Sequence, residues 1–147
     1  MIAPLVAALA VAAPGPCTAA ETRAVAYAFA GAWTRGDVAA IERVVAREPQ
    51  FKWVSTGAPG ARFSPSAFDR RSLGGYVRRR HEQHDRLTLT WFRFNASDVR
   101  DDGAYGHFEF KLTRRADDWN SGRPSYRHGK GAIVCQPVVG LAVWSMS

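Results

Sequence analysis

The dominant hydrophobic period passes from helical in the first half of this chain to alternating in the second, and that change restricts the fold more than any other feature of the sequence. Over residues 22–33, Val25, Ala26, Phe29, Ala30 and Trp33 recur every three or four positions, which gathers them on one side of a helix. After residue 86 the interval drops to two: Leu87 and Leu89 alternate with Thr88 and Thr90, and Phe92 and Phe94 alternate with Arg93 and Asn95. Helical stripes and pleated faces each need an apolar partner. Helices first and strands afterwards therefore predict an α+β domain, with three N-terminal helices packed on one side of a curved antiparallel sheet. The 147 residues suffice for one such domain, and an apolar share of 46% closes its core without help from a metal.

Turn chemistry sets the elements. Gly36 can take the left-handed conformation that ends the first helix, and Asp37 is placed to cap a second, with the stripe Val38, Ile41, Val44 and Val45. Residues 50–55, with Phe51 and Trp53 two apart, read as a short strand, and residues 56–65, with two glycines and two prolines, as a loop. A third helix is expected over 72–84 on Leu73, Tyr76 and Val77, although Gly74 and Gly75 lower its propensity. The apolar parity slips by one between Leu89 and Phe92, with Trp91 at the slip, which predicts a β-bulge. Asp101, Asp102 and Gly103 turn the chain into a strand at 105–112, with Phe108, Phe110 and Leu112 on one face and His107, Glu109 and Lys111 on the other. Polar residues 114–124 read as a loop, and 129–135 and 141–146 as two final strands.

Residues 2–13 are a nearly unbroken run of Ile, Ala, Leu and Val closed by Pro14, Gly15 and Pro16. That length suits a secretory signal core and is too short for a stop-transfer span. Residues 1–20 are therefore expected to be a signal peptide or an apolar arm, residues 21–147 the folded domain, and the protein secreted or periplasmic with no transmembrane anchor. No Lys or Arg precedes the run, which keeps the arm alternative open. In an exported chain the two cysteines, Cys17 and Cys135, are most simply read as one disulfide, with two separate buried thiols as the alternative. Cys-x-x-Cys and His-x-x-x-His spacings do not occur, so no metal site and no cofactor are expected.

Taken in order, Phe29-x-x-x-Trp33-x-x-Gly36-Asp37, Phe51-Lys52-Trp53, Tyr76-Val77-x-Arg79-Arg80-His81, Phe92-Arg93-Phe94-Asn95, Gly106-His107-Phe108-Glu109-Phe110 and Gly129-Lys130-Gly131-Ala132 leading to Val143-Trp144-Ser145-Met146 resemble a bacterial NTF2-like, SnoaL-like domain. The resemblance covers residues 21–147 and rests on order and pattern. It implies a cone whose sheet wraps round a pocket closed by the helices, often in a dimer through the sheet face. The superfamily it points to hosts isomerases, dehydratases, cyclases and members without known catalysis, so function has to come from the site.

Most candidate site residues have a plain structural reading beside the functional one. Asp37 is a helix cap before it is a catalytic carboxylate. His107 and Glu109 share a strand face and can act as base and acid, with Tyr27 or Tyr76 as a hydroxyl partner, or can simply meet solvent. His81 and His84, three apart beside Asp85, suggest a cation, which Arg78, Arg79 and Arg80 oppose. Those arginines point about 100° apart around the helix and form no single stripe, so the formal charge of +7 does not make nucleic acid the expected partner. Tyr27, Trp33, Trp53, Tyr76, Trp91 and Trp144 are the expected ligand-binding lining, because each joins a large apolar body to a polar edge, with plain core filling as the simpler alternative. The expectation is a non-catalytic domain that binds a small apolar ligand or a protein partner. The alternative is an isomerase or cyclase acting on a small hydrophobic substrate.

Overall fold

The computed structural model describes residues 15–56 and 66–147. The apolar run at 2–13, and all but Thr56 of the loop expected at 56–65, lie outside them. Helix α1 (Ala19–Arg35) starts ahead of the expected position because Thr18 and Glu21 form a reciprocal cap: the Thr18 hydroxyl accepts the Glu21 N–H, and the Glu21 carboxylate accepts the Thr18 N–H. Gly36, at φ 64°, ends it, donating its N–H to the Ala32 and Trp33 carbonyls. A Cβ on Gly36 would run into the ring of His81, so this turn packs directly on a later helix. Asp37 caps α2 (Val38–Val44) by accepting the Ala40 N–H at 2.9 Å. Asp69, overlooked in the sequence reading, caps α3 (Arg70–Glu82) two residues earlier than expected.

One five-stranded sheet follows, formed by β1 (Trp53–Ser55), β2 (Arg86–Arg100), β3 (Gly103–Arg115), β4 (Ser125–Gln136) and β5 (Gly140–Met146), in the order β1-β5-β4-β3-β2. Four strands form an antiparallel meander, but β1 runs parallel to β5, pairing Trp53 with Val143. The sheet is therefore mixed, which corrects the all-antiparallel expectation: side-chain parity says which residues share a face and carries no information about strand direction. The bulge foreseen at Trp91 is present, and a second shift falls between Phe94 and Ala96.

The core lies where the helical stripes meet the inner face of the sheet. Phe29, Trp33, Leu73 and Val77 come from the helices, and Phe108, Phe110, Leu112, Trp144 and Met146 from the sheet, all at most 1% exposed. The rings touch: Phe110 stacks on Trp144 at 4.1 Å, and Phe29 meets Trp144 at 4.9 Å. Gly131 is required for this packing, since a Cβ there would occupy the place of the Phe108 ring from the neighbouring strand.

Cys17 and Cys135 are bonded, joining the approach to α1 to the end of β4 across 118 residues. The expected loop at 114–124 begins later than read, because β3 continues to Arg115 and Arg114 is 1% exposed. Its guanidinium donates to both Asp85 oxygens, at 2.9 and 2.6 Å, and to the Thr56 carbonyl at 2.9 Å. A charge can be buried when paired in this way, and a reading that equates charge with exposure misses it. Among the described residues, no helix is long and apolar enough to cross a membrane.

Candidate functional site

The pleat that sends Phe108 and Phe110 inward sends His107 and Glu109 outward, so the outer face of the sheet carries the exposed chemistry. Strand register arranges that face in rows. One row runs Trp53, Val143, Ala132, His107 across four strands, and the next runs Ser55, Ser145, Lys130, Glu109, Arg93. The first row forms the floor of a half-open groove of about 540 Å3, walled by Lys52, Arg100, Tyr105, His128, Lys130 and Ser145. Trp53, Val143 and Ala132 make the floor apolar up to His107, and among the described residues every ionic side chain that lines the groove is basic or a histidine.

Hydrogen bonds fix several of these groups. His107 Nε2 lies 2.5 Å from Asp98 Oδ1, and Arg100 Nε donates to Asp98 Oδ2 at 2.6 Å. Burial alone would raise the Asp98 carboxyl, but the hydrogen bonds from Arg100 and His107 win and hold it below the usual aspartate range. The Tyr105 hydroxyl donates to Asp102 at 2.9 Å. Burial, then the Asp102 carboxylate, push the Tyr105 phenol up to about 12, so at neutral pH it is a fixed O–H donor. Glu109 accepts from Arg93 at 2.5 Å. Chemically, the arrangement offers an apolar floor, positive walls and one oriented imidazole.

The expected lining residues and the catalytic candidates are scattered over the molecule. Trp53 and His107 line the groove. Glu109 sits beside it on the same face, 26% exposed and bound to Arg93. Trp33 and Trp144 are 0% exposed and act as core, their indole N–H groups without a hydrogen-bond partner among the described residues. Tyr76 is half-buried against Trp33 at 5.6 Å, and its hydroxyl meets Thr56 Oγ1 at 2.9 Å. Tyr27 is an exposed tyrosine on the helical side, with the Arg23 guanidinium 4.4 Å over its ring. Trp91 is also exposed, with the Arg93 and Lys111 cations near its ring.

Tyr27 and Tyr76 therefore lie on the helical side of the sheet and His107 and Glu109 on the other, so the structure does not bring the two tyrosines together with the acid and base. His84 pairs with Asp117 at 2.6 Å, His81 packs on Gly36, and Asp85 is taken by Arg114 and Arg80. Arg78 and Arg79 are exposed, while Arg80 clasps Asp118 through two bonds of 2.8 Å. Among the described residues, no group of three or more His, Cys, Asp or Glu side chains is arranged to hold a metal ion.

Sequence reasoning missed Lys52, Asp98, Arg100, Tyr105, His128 and Lys130. Strand parity would have placed Lys130 and His128 on one face, but not beside Trp53, which the parallel pairing supplies. It also missed Trp119, held between the Arg114 and Arg127 guanidiniums at 4.2 and 4.8 Å.

No protein-family model and no curated protein matches the chain. Solved structures do. A proposed calcium/calmodulin-dependent protein kinase II association domain from Xanthomonas campestris is 12% identical, with 93% of this chain and 91% of that one covered at a TM-score of 0.63. A proposed dehydratase from the NTF2-like family of Streptomyces avermitilis is 13% identical, covering 85% and 91%, with a TM-score of 0.58. A ketosteroid isomerase-like protein from Erwinia carotovora atroseptica is 15% identical, covering 87% and 93%, with a TM-score of 0.57. At such identities the likeness is one of fold, and it bears out the resemblance drawn from the sequence.

Proposed function

Starting from the NTF2-like fold of this chain, we propose that it is an extracytoplasmic, non-catalytic binding domain that holds a small, largely apolar molecule in the groove on its outer sheet face. The observation that carries this reading is the continuous row Trp53, Val143 and Ala132, an apolar floor ending at His107 inside a cleft of about 540 Å3. The disulfide supports export, since such bonds persist in oxidising compartments. Non-catalytic binding is supported by the way the polar groups are tied: Tyr105 to Asp102, Glu109 to Arg93, and Asp98 to both Arg100 and His107.

Calorimetric titration with naphthalene-2-methanol, an uncharged aromatic probe, tests the proposal. Saturable binding that weakens about tenfold in Trp53→Ala is the expected result. Binding unchanged by that substitution, or a homodimer whose interface buries the groove, would sink it.

A second reading, an isomerase- or cyclase-type enzyme for small hydrophobic substrates, has one observation in its favour. The Asp98–His107 pair holds an imidazole at the end of the apolar floor, the geometry of an oriented general base. It predicts α-proton exchange in a bound apolar ketone such as 2-tetralone, abolished by His107→Gln.

A further inference from the structure

Charge on the outer face is out of balance at one end of the groove. Around the row that neighbours the apolar floor, Glu109 is the single carboxylate set against Arg93, Lys111 and Lys130. Glu109 is shared: Arg93 donates to one oxygen at 2.5 Å, and the Lys130 ammonium forms a looser ion pair with the other at 3.9 Å, outside hydrogen-bond range. Lys130 and His128 both line the groove, two residues apart on β4 and so on one face. Their Cα atoms are about 6.6 Å apart along the strand, a separation that one carboxylate, accepting from each side at about 2.8 Å, can bridge. The hydroxyl-bearing Ser145 pairs with Lys130 across the strands and lines the same wall.

Resting on the groove reading above, we infer that the ligand is an amphipathic monocarboxylate, its apolar body lying on Trp53, Val143 and Ala132 and its carboxylate held by Lys130 and His128. The floor accounts for the apolar part and the surplus of cations for the charged one. One carboxylate shared between Arg93 and Lys130 leaves the cations in excess, and the loosely paired Lys130 keeps its hydrogen-bond donors for a further negative charge.

The test compares 2-naphthoate with naphthalene-2-methanol by titration calorimetry on the full chain at 50 and 300 mM NaCl. Naphthoate is expected to bind about fivefold more tightly at low salt, the size of one exposed ion pair, with the advantage shrinking at high salt. Lys130→Met keeps the aliphatic stem, and with His128→Gln it should bring the ratio of the two affinities to about one. Lys130 is 80% exposed, so the fold should survive, which circular dichroism checks. Equal binding of acid and alcohol by the unaltered protein would overturn the carboxylate inference and leave the groove reading standing. Failure of both probes would overturn the groove reading and this inference with it. A naphthoate preference that persists in the double variant would place the anion elsewhere and overturn the assignment to β4.

Discussion

The two faces of one sheet divide the work of this molecule. Along β3, Phe108 and Phe110 close a core of stacked rings, while His107 and Glu109, their immediate neighbours in sequence, stand in a network of ion pairs round an open groove. The same backbone serves both because the pleat separates successive side chains completely. The inner face is constrained by volume, where each ring has a fixed place, and the outer face by charge pairing, which tolerates exchange. Stability should therefore depend on one set of positions and recognition on the other.

The sharpest way to break that division is a pair of adjacent substitutions. Phe110→Ala should lower the unfolding free energy by about 3–5 kcal/mol, because it empties the space against Trp144. Glu109→Ala, one residue away, should cost less than about 1 kcal/mol, as an exposed pair does. Urea unfolding measures both, and similar losses would mean the faces are not independent. Next in size, replacing Cys17 and Cys135 by serine should cost about 2–4 kcal/mol, since the bond closes a loop of 118 residues, while ligand affinity stays the same. A matching loss of affinity would show that the groove depends on the clasp. Trp53→Ala should do the reverse, reducing affinity for an apolar probe about tenfold with little change in stability.

The smallest effect is acid sensitivity. The carboxyls of Asp98 and Asp118 lie below the usual aspartate range because their hydrogen bonds to His107, Arg100 and Arg80 outweigh burial. Unfolded, these groups take up protons at higher pH than they do folded. Their stabilisation is complete above about pH 5, clear of the unfolded aspartate range, and is lost as the pH falls through the lower folded values. Acid unfolding of Asp98→Asn should be less steep than that of the unaltered chain in this range, and an identical profile would remove Asp98 from the account.

Much of the inner face was legible beforehand, because burial is written in periodicity. The stripe at Val25, Phe29 and Trp33, the alternation at Phe108, Phe110 and Leu112, the bulge at Trp91 and the Cys17–Cys135 bond all follow from local spacing or from counting. The groove was only half legible. Parity put His107 and Glu109 on one side, but Lys130, His128 and Trp53 meet through strand register, and register depends on turns and bulges far from those residues. Core and lining tryptophans are indistinguishable in the sequence for a related reason: residue type gives the size of a side chain and not whether water reaches it. Trp33 and Trp144 are sealed, and Trp53 is not. Arg114 shows the converse, a charge that pairing with Asp85 carries into the interior.

The strand that brings Trp53 and Lys52 to the groove is also the least anchored part of the sheet. It has three ladder positions on β5 and one isolated bridge, Val54 to Ala67, on its other side. Short edges of this kind open locally long before the whole domain unfolds. The edge strand bearing the indole should therefore breathe, exchanging its amide hydrogens faster than β3 or β4, and the cleft can widen to suit bodies of different breadth while His128 and Lys130 on β4 stay in register. Such a binder would grade its ligands by the charge they carry more strictly than by their width.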